Sequence, residues 1–206
     1  METVALTFDD GPGPWTEPIL DILSEHGARA TFFVIGSVCE ARADVLGRIV
    51  DRGHEVGNHT WSHPWLARDC DDERVRDELE RTNAVVARLL GAPPRRFRAP
   101  RYDVDERVLG IARDLGLAHT RGDVTPPDWD ERCAAGFITT LALQRSRPGT
   151  IIGLHDGVAP SRAAPGASRQ ATVEALATIV PRLYERGLEC VTASTLLGDT
   201  PSGSAG

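Results

Sequence analysis

The sequence predicts an α/β fold on a parallel sheet, closed as a barrel or open and doubly wound. Strand and helix signals alternate strictly along the 206 residues, in seven βα-like units. The runs at 4–8, 30–35 and 150–155 are short and rich in apolar residues, as strands buried on both faces are. Asp9, Asp10, His59, Arg98 and His155 all fall where such runs end, and sites of these folds gather at strand carboxyl ends.

The first strand, 4–8, is stopped by Gly11 and Pro12, which leaves Asp9 and Asp10 at its carboxyl end. Successive strand residues face opposite sides, so one carboxylate can hold a cation while the other moves a proton. An Asp-Asp-Gly turn is the plain alternative. Thr16 caps a helix running to about His26 and closed by Gly27. Strand 30–35 follows, then a helix through Val45, Ile49 and Val50 that ends at Gly53. A short strand at 55–58 leads to His59.

The longest helix covers 71–90, where Val75, Leu79, Val86 and Leu90 make one apolar stripe. A strand at 96–99, a helix at about 104–115, a fifth strand at 117–123 and a helix starting near Asp130 come next. The sixth strand is 150–155. The last helix spans 171–186, with a kink expected at Pro181, and strand 188–192 closes the sheet. No segment repeats another.

One domain is expected over 1–199, with a flexible Pro-, Ser- and Gly-rich tail at 200–206. Hydrophobic content of 41% and charged content of 26% are those of an ordinary globular chain. The net charge of −7, without a basic run, argues against nucleic acid and anionic membrane as partners. No apolar stretch reaches membrane-spanning length. The first strand begins too close to Met1 for a signal peptide. The expectation is a cytoplasmic protein if Met1 is the native start, and a secreted one if a leader was removed. Cys39, Cys70, Cys133 and Cys190 lack metal-type spacing and read as reduced thiols.

His59 and His63 stand four apart, the spacing that puts two imidazoles on one side of a helical turn where both can grip one ion. With a strand-end carboxylate they form a two-His, one-carboxylate set with open positions. That set suits Zn²⁺, and also Fe²⁺ or Co²⁺.

Residues 7–12 and 59–63 together resemble the NodB-type polysaccharide deacetylases, carbohydrate esterase family 4. Three more stretches are similar to that family's motifs, in the family's order. Arg98-Ala99-Pro100-Arg101-Tyr102 resembles the Arg-x-Pro motif, Asp128-Trp129 the Asp-Trp motif, and 151–156 the closing strand with its catalytic histidine. The resemblance runs from Val4 to about Ser194. It implies an irregular seven-stranded (β/α) barrel of NodB homology type. It also implies a metal-dependent amidohydrolase that removes an N-acyl group, foremost N-acetyl, from an amino sugar or aminoglycoside-like metabolite.

By the same resemblance, Asp10, His59 and His63 hold a divalent metal, zinc before cobalt, iron or nickel, and Asp9 is the general base. Arg98 then orients Asp9 and keeps it ionised. His155 is the general acid, with Asp128 raising its pKa. Trp129 covers the site, and Arg101, Tyr102, Gly153 and Leu154 complete the substrate-binding set.

Two positions depart from the family pattern. Arg101 stands where an aromatic residue usually follows Arg-x-Pro; its backbone N–H can still bind an oxyanion, and its guanidinium suits an anionic substrate. Gly153 stands where a leucine usually lines the acetyl methyl, so a larger acyl pocket is expected. The segment 157–170 is long for a βα connection and reads as a substrate-facing lid, with Arg162 and Arg169 near a charged substrate. His54 reads as structural, His26 and His119 carry no assigned function, and Asp156 is left undecided. The partner expected is a small or oligosaccharide N-acyl amino sugar. A hydrolase opening cyclic imides or ureides, and a catalytically silent sugar-binding module, are the competing readings.

Overall fold

β1 (Glu2–Gly11) is the hub of the sheet. In the computed structural model, residues 1–163 and 166–198 are described. One edge of β1 pairs along 5–9 with β6 (Ile151–His155). Along 6–11 it pairs with β2 (Ala30–Val34), and along 2–5 with β7 (Leu188–Val191). Beyond β2 come β3 (Glu55–Asn58), β4 (Arg96–Phe97) and β5 (Ala118–His119), and every pairing is parallel. The sheet is closed at β6 by an isolated bridge from Val124, in the loop after β5, to Ile152. Backbone bonds from Asp123 N–H to the Ile151 carbonyl (2.8 Å) and from Gly153 N–H to the Val124 carbonyl (2.9 Å) complete the closure. The sheet thus curls into the irregular seven-stranded (β/α) barrel that the resemblance implied.

Strand alternation sorts the side chains of the central strands. Val4, Leu6 and Phe8, Ala30, Phe32 and Val34, and Ile152 and Leu154 all point outward into one core under the helices. The core is completed by α1 (Thr16–Glu25), α3 (Ala43–Asp51) and α8 (Gln170–Glu185), which supply Ile19, Leu20, Leu46, Leu176 and Ile179. The Phe8 and Phe32 rings stack at 5.0 Å, and burying each is worth about 1.5–3 kcal/mol. A second cluster joins Leu66 and Phe97 to α5 (Asp72–Leu90) and α6 (Glu106–Asp114). The alternate residues Thr7, Asp9, Thr31, Phe33, Gly153 and His155 are left for the barrel interior, and there the functional chemistry lies.

Several elements differ from expectation for identifiable reasons. β1 runs on through Asp9 and Asp10. Trp15, not Thr16, occupies the cap position of α1, because the Thr16 hydroxyl is engaged elsewhere. β5 stops at His119, so most of 117–123 is loop. The helix expected near Asp130 starts later, as Ala135–Arg145, since Asp130 is tied into a turn by Arg132 and Cys133. The last helix does run through Pro181, as expected; the carbonyl that loses its partner belongs to Ala177, on the exposed side. Short helices at Gly36–Cys39, Leu66–Asp69 and Ala193–Leu197 were not anticipated, being too short to show a period. The end of the expected domain at 199 and the expected tail at 200–206 lie outside the described residues. Among those described, no helix is long and apolar enough to cross a membrane.

Candidate metal centre and acid–base site

Asp9 pairs with Phe33 of β2 and with His155 of β6, but the register then jumps and Gly11, not Asp10, meets Val34. Asp10 is the extra residue of a bulge and sits at φ 73°. A bulge re-aims a side chain. Instead of facing opposite sides, both carboxylates line one cavity. The bulge fits because its neighbours are glycines: a Cβ on Gly11 would lie 2.2 Å from Asp156 Oδ2, and one on Gly157 2.1 Å from the Asp10 carbonyl. Asp156 is fully buried beneath this turn and accepts from the Thr16 hydroxyl at 2.5 Å, which itself accepts from Gly13 N–H. Burial pushes the Asp156 carboxyl up to about 7.

The two histidines do not share a helical turn. They sit on an irregular loop after β3, with Thr60 at φ 66° and His63 at φ 63°. What brings them together is anchoring by α5. Asn58 accepts from Thr60 N–H and donates to the Leu79 carbonyl and the Asn83 side chain. Glu78, fully buried, accepts from both the N–H and the hydroxyl of Ser62 at 2.7 Å and pairs with Arg74.

Asp10 Oδ1 then lies 3.4 Å from His59 Nε2 and 3.2 Å from His63 Nε2. One ligand atom from each of the three buried residues falls within 4.8 Å of the others. His59 Nδ1 faces the Arg98 carbonyl at 2.8 Å, which assigns the proton to Nδ1 and leaves the Nε2 lone pair aimed at the cluster. Burial lowers the His63 pKa below its ordinary value of 6.5, so that ring is neutral at pH 7. Burial works to raise the Asp10 carboxyl, but the adjoining imidazoles outweigh it and hold it well below the usual carboxylate range. Asp10 Oδ1 and His63 Nδ1 are buried with no donor or acceptor in hydrogen-bond geometry. An orphaned buried polar atom costs about 1–3 kcal/mol, which a bound cation at Oδ1 offsets. Two imidazoles and a carboxylate fit a divalent metal.

Two paired groups flank the cluster. Arg98, wholly buried, donates from Nη1 to Asp9 Oδ1 (2.9 Å) and to the Thr7 hydroxyl (2.8 Å), and from Nε to the Thr120 carbonyl. His155 Nδ1 meets Asp128 Oδ1 at 2.8 Å, while Asp128 Oδ2 accepts from His155 N–H and the Thr172 hydroxyl. Burial works to lower the His155 pKa; the Asp128 carboxylate, with Asp10 and Asp9 beyond it, outweighs burial and pushes it up to about 9.

The cavity between these groups holds about 300 Å³, and Arg101, Tyr102, Trp129 and Gly153 line it as expected. Trp129 is 44% exposed at the rim, with the Arg162 guanidinium over its ring. The Arg101 guanidinium turns back over Trp65 and donates to the His63 carbonyl, so it braces the histidine loop. Leu154, expected at the substrate, is instead fully buried in the outer core, because alternation along β6 points it away. Arg169 is also buried and donates to the Ser168 carbonyl. Of the expected lid, residues 164 and 165 lie outside the described residues. His54 accepts from Ala30 N–H and burial lowers it to about 4, which makes it structural. Thr125, Glu78 and Thr172 were missed; each acts through a contact across the fold that no local pattern announces.

A cation cluster flanked by one braced carboxylate and one charged imidazole defines a hydrolase that activates water beside a metal. Sequence comparison makes the class specific: the chain belongs to the polysaccharide deacetylase family, whose model, "Polysaccharide deacetylase", matches residues 1–120. It is 41% identical over 192 residues to a chitooligosaccharide deacetylase of Bradyrhizobium sp. (strain ANU 289), covering 91% of this chain and 87% of that relative. It superposes with a TM-score of 0.86 on the Bc1960 peptidoglycan N-acetylglucosamine deacetylase, at 36% identity over 94% of this chain and 87% of that one. A family 4 acetyl xylan esterase from Clostridium thermocellum, in complex with a cobalt ion, matches with a TM-score of 0.84. There the identity is 35%, over 96% of this chain and 91% of the other.

Proposed function

We propose that this chain binds a divalent cation, zinc by preference, at Asp10, His59 and His63, and removes N-acetyl groups from the N-acetylglucosamine units of an oligosaccharide. The observation that carries the reading is the pairing of Asp9 with His155 across β1 and β6, on the rim of one cation cluster and each with its own counter-charge. When bound, a divalent cation supplies Lewis acidity there, polarising the acyl carbonyl and making water more acidic.

The chain's own residues do the rest. Asp9, oriented by the Arg98 guanidinium, takes a proton from the attacking water. The turn after Pro100 bonds through Tyr102 N–H and Asp103 N–H, which leaves the Arg101 N–H to steady a developing oxyanion. His155, charged through Asp128, hands its proton to the leaving amine. Trp129 offers a half-exposed ring as a platform for the sugar. The donor set suits zinc, and cobalt, iron or nickel can occupy the same ligands.

The test is acetate release from N-acetylglucosamine oligomers by metal-stripped protein reconstituted with zinc. Metal-dependent acetate and free amine are expected. A ring-opened acid from a cyclic imide or ureide, with no acetate from sugars, would overturn the reading. So would metal binding without turnover of either.

A further inference from the structure

The position expected to enlarge the acyl pocket is not empty. Gly153 lies two residues before His155 on β6, in register with Thr7 and therefore deeper in the barrel than Asp9. A Cβ built on it would stand 3.1 Å from Thr125 Cγ2, 3.2 Å from the Tyr102 hydroxyl and 3.6 Å from Arg98 Nη1. A Cβ on Gly122 would stand 2.6 Å from the same hydroxyl and 2.8 Å from the same methyl. Two side chains are missing from this corner, and one tyrosine and one threonine take their place. Tyr102 reaches it because Arg101 and Tyr102 both hold φ 56°, which turns the chain inward after Pro100. The absence at 153 and the aromatic residue at 102 are two halves of one arrangement.

The sugar of a bound substrate must leave by the open rim at Trp129, since the opposite wall is barrel interior. With the amide between Asp9 and His155, the acyl chain points the other way, toward Gly153 and Tyr102. We propose that Tyr102, seated between Gly122 and Gly153, is the specificity-determining floor of the acyl end and limits the acyl group to acetyl. The next methylene beyond acetyl meets the phenol hydroxyl. One methylene too many in a fitted pocket is worth about 10- to 200-fold in kcat/KM. This assignment rests on the deacetylase reading above, and it reverses the expectation that Gly153 admits longer acyl groups.

The experiment measures kcat/KM on N-acetyl, N-propionyl and N-butyryl forms of one glucosamine oligomer, for wild type and Tyr102→Ala. Wild type is expected to favour acetyl over propionyl by about tenfold or more, and Tyr102→Ala to erase that preference. Acetate release with an unchanged propionyl-to-acetyl ratio in Tyr102→Ala overturns the floor and leaves the deacetylase reading standing. No acyl release from any form overturns both. The packing half is read by melting temperature, whatever the activity: Gly153→Leu should destabilise wild type strongly and Tyr102→Ala protein much less. An equal penalty in both backgrounds would show that Tyr102 does not fill that volume.

Discussion

Asp9 and His155 are direct partners in the β1–β6 ladder, yet their side chains reach separate counter-charges on opposite flanks. Asp9 is held by Arg98 at 2.9 Å and His155 by Asp128 at 2.8 Å. One backbone register therefore fixes a negative group and a positive group on either side of the same cation cluster. Neither pair depends on the other's hydrogen bonds, so base and acid can be disabled one at a time.

Replacing Asp9 by Asn keeps the shape and removes the charge. Asp9 is not one of the three convergent ligand groups, so metal content should remain at the wild-type level. Acetate release should fall by about 10²- to 10⁴-fold, the range for loss of a general base. Metal analysis of the purified variant, beside its single-substrate kinetics, checks both halves.

His59→Ala should do the reverse. It removes a ring whose Nε2 faces Asp10 and whose Nδ1 is tied to the Arg98 carbonyl, so it also frees the backbone at Arg98. The ion should be lost, and activity with it, and added zinc should restore little. In wild type, chelation should abolish acetate release and zinc or cobalt should return it. Equal metal occupancy in His59→Ala and Asp9→Asn would refute the division between ligand and base.

The sheet and its site residues were legible because buried parallel strands are apolar runs, and the chemistry sits at their ends. β2, β3 and β6 fell within a residue or two of their places for that reason. The local geometry was not legible. Nothing in Asp9-Asp10-Gly11 shows a bulge, which arises only when Gly11 and Gly157 let Asp156 and the Asp10 carbonyl pack close. The His-x-x-x-His spacing suggested a helical turn, whereas Asn58 and Glu78 fold it as a loop through contacts made from α5. Gly153 read as a vacancy because its occupant, Tyr102, comes from a different strand end.

Glu78 offers a test of that loop anchoring. It lies outside the cation cluster, and its carboxylate takes two hydrogen bonds from Ser62, between the two histidines. Glu78→Ala takes away the acceptor of the part-buried Ser62 N–H and loosens His63 relative to His59. Metal affinity should fall by about 10- to 100-fold, as for loss of other outer-shell supports. Competition with a chromophoric chelator measures it. Glu78→Gln, which can still accept from Ser62 N–H, should retain most of the affinity.

The pH dependence follows from His155. A general acid works only while protonated, so activity should fall as pH rises through the His155 pKa, pushed up to about 9 by Asp128 against the effect of burial. A cation in the neighbouring cluster adds positive charge and draws that limb lower, so wild type and Asp128→Asn must be compared at equal metal occupancy. Asn at 128 can still accept from Thr172 but no longer favours the imidazolium. The basic limb should therefore move to lower pH, and the rate at pH 8 should drop by about tenfold or more. Stability carries the same sign. The folded pKa is raised above the unfolded value of 6.5, so the pair's contribution is complete below pH 6.5 and is lost as pH rises through about 9. Wild type should lose this increment across that window in denaturant titrations, and Asp128→Asn should not. A pH–rate profile with the same basic limb in both proteins would remove His155 from the acid's role, since among the described residues no other imidazole on the cavity faces a carboxylate outside the cation cluster.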